Sequence, residues 1–527
     1  MLPNSAGTTE HDETATSHDE TQGDHMATTS QQHRLDIRRF RMWIGGEERD
    51  ARGGRVLDSV DPTTGATWSQ IPDADSADVA DAVGAARRAF DEQWRALSPT
   101  RRGRHLLRLA EILGDAAEEL ATLETRENGK LLKEMLAQAR TAPDYLTYWA
   151  GMADKVEGRV VPLDGKDALN YTLREPLGVV GIVTPWNSPL LIAIQGLGPA
   201  LAAGNTVVIK PSEIASAGVV RLAELTGDAG LPPGVVNVVT GGAETGRALV
   251  EHPDVAKVVF TGGVETGRAV ARTAADRGAT TLLELGGKSP NIVFPDADLD
   301  AAEAGLLAGI YAAAGQTCIA GSRALLHEDL YDELIKRLQT RAESVVVGNP
   351  REPSTQMGPI ATRSQLAKVE SFVDEATRDG ARIVAGGRPA DVDGLPDGFF
   401  YRPTIVDGAA RDSELLQEEV FGPVLAVVPF STEREAIEIA NGTRYGLAAG
   451  VWTRDVKRAH RVARSIDAGI VWINTYRAGS FNSPFGGMRA SGVGRENSVD
   501  TIYEFLQTKS VWCELDETVR DPFVIRL

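Results

Sequence analysis

Short apolar runs alternate with longer amphipathic stretches along the middle of the chain. Residues 179–183, 206–209, 235–239 and 255–260 are rich in Val and Ile and end at turn-forming residues, which predicts buried strands. The stretches between them have helical character. Strands that alternate with helices form parallel sheets with crossover helices. The pattern therefore predicts an α/β fold from about residue 178 onward.

The flanking segments extend this pattern. Ala and Leu recur three and four positions apart over residues 77–150, which predicts helices, and residues 40–44 predict a short strand. Residues 157–173 predict a β-hairpin, and the β-prone segment 503–515 predicts a terminal strand that is available to another subunit. A second α/β region between residues 284 and 485 is indicated by further strand-like runs at 291–294, 383–385, 425–428 and 470–473.

Length and charge narrow the class of protein. A chain of 527 residues is too long for one core and predicts at least two domains. Its net charge of −19 argues against nucleic acid or an anionic membrane as partner. No apolar run reaches the roughly 18 residues of a membrane span. With only two cysteines there is no disulfide framework, so we expect a reducing compartment, the cytoplasm.

The first 35 residues differ from the rest of the chain. They are polar and acidic, and they hold four of the eight histidines without an apolar signal-peptide core. The histidine spacing of seven or eight matches no metal-ligand pattern. We therefore expect residues 1–35 to be a disordered acidic, His-rich tail, and the sequence predicts no metal site.

A short repeat occurs within the predicted parallel sheet. Thr240-Gly241-Gly242-Ala243-Glu244-Thr245-Gly246-Arg247-Ala248 nearly matches Thr261-Gly262-Gly263-Val264-Glu265-Thr266-Gly267-Arg268-Ala269. Each copy follows a Val-rich strand and opens a predicted helix. Glycine in such a turn lets the backbone approach a ligand, and a helix N-terminus favours phosphate. Two tight turns without a ligand explain the repeat equally well, because neither copy has the GxGxxG spacing.

Candidate chemistry centres on one thiol and one carboxylate. Cys318 ends the segment Gly315-Gln316-Thr317-Cys318, and Glu284 opens Glu284-Leu285-Gly286-Gly287-Lys288. A thiolate attacks a carbonyl, and a carboxylate activates water. This pair of groups predicts covalent catalysis on a carbonyl compound. Cys513 has no comparable surroundings and is expected to be inert.

Seven segments in this order resemble the aldehyde dehydrogenase superfamily over roughly residues 40–515. They are Pro185-Trp186-Asn187, Lys210-Pro211-Ser212-Glu213, Phe260-Thr261-Gly262-Gly263, Glu284-Leu285-Gly286-Gly287-Lys288, Gly315-Gln316-Thr317-Cys318, Glu418-Glu419-Val420-Phe421-Gly422-Pro423 and Ser483-Pro484-Phe485-Gly486-Gly487.

The resemblance implies three catalytic roles. Cys318 would attack an aldehyde to form a thiohemiacetal and then a thioester, and Glu284 would activate the water that releases the acid. The side-chain amide of Asn187 and the backbone N–H of Cys318 would form the oxyanion hole. Relatives that transfer the acyl group to coenzyme A commonly lack the residue at 284, so its presence favours hydrolysis.

The resemblance also implies a nicotinamide cofactor. Glu213 would accept hydrogen bonds from a ribose 2′-hydroxyl and repel a 2′-phosphate, which favours NAD, although a carboxylate that rotates away tolerates NADP. Glu419 would hold the second ribose, and Phe421 would pack near the nicotinamide ring. The full set of expected cofactor residues is Thr184, Pro185, Trp186, Lys210, Ser212, Glu213, Gly242, Gly246, Thr261, Gly262, Gly263, Gly267, Leu285, Gly286, Gln365, Glu419 and Phe421.

Three features leave questions open. Gly263 replaces the Ser or Thr of many relatives, which removes one phosphate contact, and Gly196 replaces a Lys with a proposed proton-relay role. The segment 474–481 should line the substrate entrance. In it, Arg477 either binds the carboxylate of a semialdehyde, contacts solvent or forms an ion pair at a subunit interface.

The resemblance finally implies a domain plan. A Rossmann-type NAD-binding domain would comprise residues 36–156 and 176–284, and the catalytic domain residues 285–487. A β oligomerisation arm, residues 157–175 and 488–515, would join a homodimer or homotetramer. The alternatives to a hydrolytic aldehyde dehydrogenase are a coenzyme A-acylating relative and a non-catalytic protein that retains the fold.

Overall fold

The computed structural model describes residues 37–519 together with Asp521 and Phe523, so the predicted tail lies outside the described residues. The strands run, in chain order, β1 (Arg38–Arg39), β2 (Met42–Ile44), β3 (Glu47–Arg49), β4 (Val56–Asp61), β5 (Ala66–Pro72), β6 (Val160–Val161), β7 (Ala168–Pro176), β8 (Val179–Thr184), β9 (Thr206–Pro211), β10 (Val236–Val238), β11 (Val255–Thr261), β12 (Thr280–Glu284), β13 (Pro290–Val293), β14 (Arg323–His327), β15 (Arg382–Ala385), β16 (Thr404–Asp407), β17 (Val424–Phe430), β18 (Ala448–Trp452), β19 (Ile470–Ile473), β20 (Gly492–Val493) and β21 (Leu506–Glu514).

The predicted helical stretch at 77–150 is divided by local signals. Asp75 caps the first helix through a capping box with Asp78, Ser98 caps the second ahead of Pro99, and Gly129 ends the third with a φ of 74°. The α-helices are α1 (Ser76–Ala89), α2 (Pro99–Asp115), α3 (Ala117–Asn128), α4 (Leu132–Met152), α5 (Pro189–Ala203), α6 (Ala217–Asp228), α7 (Ala243–Glu251), α8 (Val264–Asp276), α9 (Leu299–Tyr311), α10 (Tyr331–Glu343), α11 (Arg363–Arg378), α12 (Glu414–Gln417), α13 (Glu433–Asn441) and α14 (Val456–Ser465).

The first large sheet has the strand order β20-β12-β11-β8-β9-β10-β2-β3. Its five central strands are parallel, and the edge strands β20, β2 and β3 are added antiparallel. Val180 and Ile182 enter one apolar core, whereas Val179 and Val208 enter another on the opposite face. Because both faces are covered, these strands are continuously apolar, as the sequence pattern predicts.

The second large sheet has the order β15-β16-β17-β14-β13-β18-β19, parallel except for the edge strand β15. The predicted strands at 291–294, 383–385, 425–428 and 470–473 correspond to β13, β15, β17 and β19. Three further strands, β14, β16 and β18, were not predicted. The α/β prediction is confirmed, with two parallel sheets in one chain.

Two small sheets complete the fold. β1, β5 and β4 form one of them. In the other, β21 pairs antiparallel with β7 from Leu506 opposite Pro176 to Glu514 opposite Ala168, and β6 completes the predicted hairpin. β20 lies within the segment assigned to the arm, yet it pairs with β12 at the edge of the first sheet.

Among the described residues, no helix is long and apolar enough to cross a membrane.

Close packing of α9 on β18 supports the segment that leads to Cys318. A Cβ added at Gly305 would lie 2.1 Å from the ring of Trp452, and the Trp452 indole donates to Asn291 Oδ1 at 3.0 Å. The ring therefore occupies the space that any side chain at position 305 would need.

We expect Gly305→Ala to destabilise the protein by about 1–3 kcal/mol, because the core must shift to admit the methyl group. Gly151→Ala, in α4 with no atom within 4 Å of the added Cβ, should stabilise by about 0.5–1 kcal/mol, since alanine restricts the unfolded chain. Thermal unfolding of both variants checks this. Equal shifts in the same direction would contradict the packing argument.

Candidate active site

Cys318 lies on a loop whose backbone conformation is unusual. After α9 ends at Tyr311, Ala313, Ala314 and Gly315 have φ values of 56°, 51° and 70°. A Cβ added at Gly315 would lie 2.0 Å from the carbonyl oxygen of Gly422. Only glycine is compatible with this close approach, and the tight turn brings Cys318 back toward the first sheet.

Gln316 anchors this loop from inside. Its side chain is fully buried, Nε2 donates to the carbonyls of Ala313 and Pro359 at 3.4 and 3.3 Å, and Oε1 accepts from Ala361 N–H at 2.8 Å. Both ends of the amide are satisfied, which is the requirement for a buried polar side chain. The loop therefore has one well-defined position.

Asn187 connects this loop to the first sheet. It follows the end of β8, is buried, and donates from Nδ2 to the Gln316 carbonyl at 3.2 Å. The predicted oxyanion donor thus contacts the nucleophile loop two residues before Cys318. The second proton of the amide is not used in this bond.

The other side of the loop is held by the predicted entrance segment. Tyr476 donates from its hydroxyl to the Ile319 carbonyl at 2.9 Å, and Arg477 donates from Nη1 to the Ala312 carbonyl at 3.2 Å. Arg477 is half-buried, with a φ of 64°. Cys318 therefore lies between two segments that contact its own loop.

Glu284 is the last residue of β12 and is buried beneath Gly486. A Cβ at Gly486 would lie 2.5 Å from Glu284 Oε1. Within the described part of the chain, neither carboxylate oxygen has a hydrogen-bond partner. Burial, followed by repulsion from the Glu496 carboxyl, raises the pKa of Glu284 well above its usual range.

Glu496 is a functional candidate that the sequence did not indicate. It is buried, pairs through its backbone with Phe485, and leaves Oε1 without a partner among the described residues. Burial raises its pKa to about 8. The only local signal is an acid beside Arg495 after a Gly-rich stretch, which is too common to mark a site.

Burial also determines the protonation state of the Cys318 thiol. Burial raises the pKa of Cys318 to about 12, and the carboxylates of Glu419, Glu284 and Glu496 act in the same direction. The resting thiol is therefore protonated, and it needs a base to become nucleophilic.

A buried cation lies near the same loop. Lys130, between α3 and α4, donates from Nζ to Ser188 Oγ at 3.0 Å, and Ser188 directly follows Asn187. Burial lowers the pKa of Lys130 to about 8. The sequence did not indicate Lys130, because this residue is separated from its partner Ser188 by 58 positions.

A cavity of about 480 Å³ opens at the carboxyl ends of β8, β9 and β11. Parallel sheets bind ligands at such edges. The cavity brings together eleven of the predicted cofactor residues, namely Thr184, Pro185, Trp186, Lys210, Ser212, Glu213, Gly242, Gly246, Thr261, Gly262 and Gly263.

The cavity has the features that a dinucleotide requires. Gly242 and Gly263 are the N-cap residues of α7 and α8, and neither supplies a side-chain cap. Backbone N–H groups at the two helix N-termini are therefore available to phosphate. An added Cβ at either glycine would meet no atom within 4 Å. The buried hydroxyls of Thr184 and Thr261 have no hydrogen-bond partner among the described residues.

The predicted ribose-binding pair lies at this cavity. Lys210 Nζ is 3.6 Å from Glu213 Oε2 and donates to the Pro211 carbonyl at 2.8 Å. Burial lowers the pKa of Lys210. The Glu213 side chain is 48% exposed, so it can change rotamer.

The remaining predicted cofactor residues form a second group beside the cavity. Gly267 packs on Leu285, and Gly286 packs on Glu419, whose Oε1 accepts from Gly287 N–H at 2.9 Å. Gln365 contacts the protein rather than open space, donating to the carbonyls of Val420 and Phe421 at 2.9 and 3.0 Å.

The Phe421 ring, which belongs to this second group, contacts a residue that lines the cavity. The Phe421 ring lies 5.2 Å from the Trp186 ring in an edge-to-face arrangement. Burial raises the pKa of the neighbouring Glu419 to about 7.

Among the described residues, no group of three or more His, Cys, Asp or Glu side chains is placed to hold a metal ion.

A thiol on the loop that contacts Asn187, a buried carboxylate at Glu284 that acts on this thiol electrostatically, and a cavity at the ends of parallel strands are the features expected of an oxidoreductase that acts on a carbonyl compound. The aldehyde dehydrogenase family model matches residues 49–511. The chain is 44% identical over 494 residues to a (Z)-2-((N-methylformamido)methylene)-5-hydroxybutyrolactone dehydrogenase of Acinetobacter baylyi, covering 93% of this chain and 100% of that relative. The chain belongs to the aldehyde dehydrogenase family, as the resemblance predicted.

Solved structures agree with this assignment. PnpE is a protein of Pseudomonas sp. WBC-3. Its complex with nicotinamide adenine dinucleotide is 43% identical to this chain and superimposes with a TM-score of 0.90, covering 92% of this chain and 99% of the PnpE chain. The NAD+ complex of a Bacillus cereus aldehyde dehydrogenase has a TM-score of 0.89 at 39% identity, covering 92% and 98%. The predicted fold class is thereby confirmed.

The buried carboxyl of Glu496 should make stability depend on pH. Its pKa rises from 4.5 in the unfolded chain to about 8 in the folded one, so its contribution is complete below about pH 4.5 and is lost as pH rises toward 8. In Glu496→Gln the side chain stays neutral. The free energy of unfolding of wild type minus variant should therefore fall as the pH rises through this window.

Unfolding measured between pH 4.5 and 8 checks this expectation. Glu438→Gln, at a side chain that is 66% exposed, provides the control and should give a flat difference. A flat difference for Glu496→Gln as well would show that the carboxyl is solvated.

Proposed function

We propose that the protein oxidises an aldehyde to the carboxylic acid through covalent catalysis by Cys318, with NAD as oxidant and water as acyl acceptor. The observation that carries this proposal is the convergence of Asn187, Glu284 and the Cys318 loop beside the dinucleotide-sized cavity. The NAD+ complexes of the solved relatives support the choice of cofactor.

In the first half-reaction Cys318 attacks the aldehyde carbon. Since the pKa of the thiol is about 12, its proton must leave to a base, and Glu284 and Glu496 are the nearby carboxylates that act on it electrostatically. The new alkoxide is stabilised by the Asn187 amide and the Cys318 N–H, each worth on the order of 3 kcal/mol in the transition state.

The cofactor would bind across the cavity. The helix N-termini at Gly242 and Gly263 would hold the pyrophosphate, Lys210 and Glu213 the adenosine ribose, and Glu419 the second ribose. When bound there, NAD would supply the hydride acceptor that conversion of the thiohemiacetal on Cys318 into a thioester requires.

In the second half-reaction Glu284 removes a proton from water, which attacks the thioester carbonyl. Glu284 can do this only when ionised, and its raised pKa makes it a stronger base once its proton is lost. Glu496, buried at the same site, disfavours ionisation of both groups at once, so only one of the two carboxyls would be ionised at a time.

Replacement of Glu284 should separate the two half-reactions. In Glu284→Gln we expect a burst of about one NADH per site followed by turnover reduced about 10²- to 10⁴-fold, because the thioester forms without an efficient base for water. Rapid-mixing absorbance at 340 nm measures both phases. Cys318→Ala should show no burst, whereas Cys513→Ala should behave as wild type.

Three outcomes would contradict the proposal. Full turnover in Cys318→Ala would exclude covalent catalysis at this thiol. Formation of acyl-coenzyme A in place of free acid, with coenzyme A present, would favour the acyl-transferring alternative, and absence of turnover with a panel of aldehydes would favour the non-catalytic one.

A second, narrower proposal concerns the substrate. Arg477 and Lys130 both lie next to residues that contact the Cys318 loop, and each acts electrostatically on Tyr476 or Cys318. Two cations beside the nucleophile favour an aldehyde that carries a carboxylate, which Arg477 would bind in a bidentate manner. We propose a carboxylated semialdehyde as the substrate class.

Arg477→Gln should lower kcat/KM for a carboxylated semialdehyde by about 10- to 100-fold, the value of one charge-assisted contact, and change it less than about twofold for a neutral aldehyde of equal length. Steady-state kinetics on the two substrates gives the ratio. Arg454→Gln, at a side chain that is 71% exposed, is the control. Equal losses on both substrates would mean that Arg477 only supports the loop through Ala312.

The small sheet formed by β6, β7 and β21 supports assembly. Val160, Leu169 and Leu173 share one face of it and are 68, 37 and 42% exposed. Such an apolar face favours burial against a second copy, and we propose a homodimer or homotetramer. A monomeric sedimentation profile would contradict this.

A cytoplasmic location stays a prediction from the cysteine count, and both cysteines are free thiols.

A further inference from the structure

The turn between α3 and α4, residues 129–131, lies against the segment that carries Asn187. Its lysine, Lys130, is 3% exposed and donates from Nζ to Ser188 Oγ at 3.0 Å. Ser188 in turn donates from Oγ to the carbonyl of Asn187 at 2.8 Å. A chain of two hydrogen bonds therefore joins the buried amino group of the lysine to the backbone of the proposed oxyanion donor.

The last residue of α3 holds the same segment at a second point. Asn128 is fully buried, accepts at Oδ1 from the Lys130 N–H at 2.9 Å, and donates from Nδ2 to the Trp186 carbonyl at 3.3 Å. The carbonyls of Trp186 and Asn187 belong to the two planar peptide groups that flank the Asn187 Cα. Together these bonds fix the direction in which the Asn187 side chain leaves the backbone.

The start of α4 contacts the loop that carries Cys318. Glu134, in the first turn of this helix, accepts at Oε1 from the Ala313 N–H at 3.0 Å. Burial lowers the pKa of Lys130, and the Glu134 carboxylate opposes this effect, so the two side chains attract each other. One short region of the chain therefore holds both the Asn187 segment and the nucleophile loop.

Packing alone does not account for a lysine at this position. Burial of an ammonium group carries a desolvation cost, and an apolar side chain would fill the same volume without that cost. The hydrogen bond to Ser188 is the feature that an apolar residue could not provide. The contacts of Lys130 therefore indicate a role in the geometry of the active site.

We propose that Lys130 is a positioning residue for the oxyanion hole, which through Ser188 holds the Asn187 backbone so that the side-chain amide points at the alkoxide formed on attack by Cys318. One proton of that amide is bonded to the Gln316 carbonyl, and the other is left for the alkoxide. A donor displaced by about 1 Å costs on the order of 100-fold in rate. This inference rests on the proposed function.

A double-mutant cycle tests whether Lys130 acts through Asn187. Lys130→Met should lower kcat/KM for a neutral aldehyde about 10- to 100-fold, and a neutral substrate removes any direct attraction to the lysine. In an Asn187→Ala background the same substitution should lower it less than about twofold, because no amide is left to position. Lys155→Met, at a side chain that is 62% exposed, is the control and should have no effect in either background.

Alkylation of Cys318 distinguishes positioning from general disruption of the site. Iodoacetamide forms a carbon–sulfur bond as iodide leaves and the thiol proton passes to solvent, so no alkoxide develops and no oxyanion hole is needed. Ser188→Ala removes the link to Asn187 but keeps the lysine charge. It should reproduce the loss of aldehyde turnover, while the rate constant of alkylation at fixed pH changes less than about twofold. Both proteins carry Cys513→Ala, so that only Cys318 reacts.

Each other outcome has a defined meaning. Equal losses from Lys130→Met with and without the Asn187 amide would overturn the inference and assign the lysine to the charge of the thiol. Alkylation that slows in Ser188→Ala as much as turnover does would mean that the whole loop is displaced, which also overturns it. Full activity in Asn187→Ala would instead overturn the oxyanion hole of the proposed function. A loss in Asn187→Ala with none in Lys130→Met or Ser188→Ala would overturn only the present inference.

Discussion

The hydrogen bond from the Asn187 amide to the Gln316 carbonyl joins the two halves of the active site. Asn187 follows the end of β8 in the first sheet and Gln316 lies in the segment that leads into the second, so one contact aligns the proposed oxyanion donor with the loop that carries Cys318. The side-chain amide of Gln316 is hydrogen-bonded inside the protein, and these bonds hold the acceptor carbonyl of the same residue in place. A movement of about 1 Å at this point would separate groups that catalysis requires together.

Burial determines the electrostatic state of the site. A thiol with a pKa of about 12 and two carboxyls with raised pKa values all hold their protons more tightly than in water. None of these groups is reactive in its resting protonated form, yet each becomes more basic when it is ionised in low-dielectric surroundings. In the proposed mechanism, the same desolvation that inhibits the resting thiol would provide the base strength for water activation.

Much of the fold could be predicted because its signals are local. The apolar strands β8, β9 and β11 are buried on both faces, which makes them continuous in sequence. β18 was missed because Ala448, Ala449 and Gly450 have little strand character of their own, and they adopt it only because β13 and β19 pair with them. The helical region was predicted as a whole, and its division depends on caps at Asp75, Ser98 and Gly129.

The sequence by itself determined the candidate chemical groups: the thiol of Cys318 in its Gly-rich segment, the carboxylate of Glu284 and the strand-to-helix turns. They are visible as motifs because each depends on residues adjacent in the chain. Tertiary structure alone decided what surrounds them. Glu496 reaches Glu284 across 212 positions (496 − 284), and Lys130 reaches Ser188 across 58. Ionisation, pairing and exposure depend on distances in space, and no local pattern encodes those.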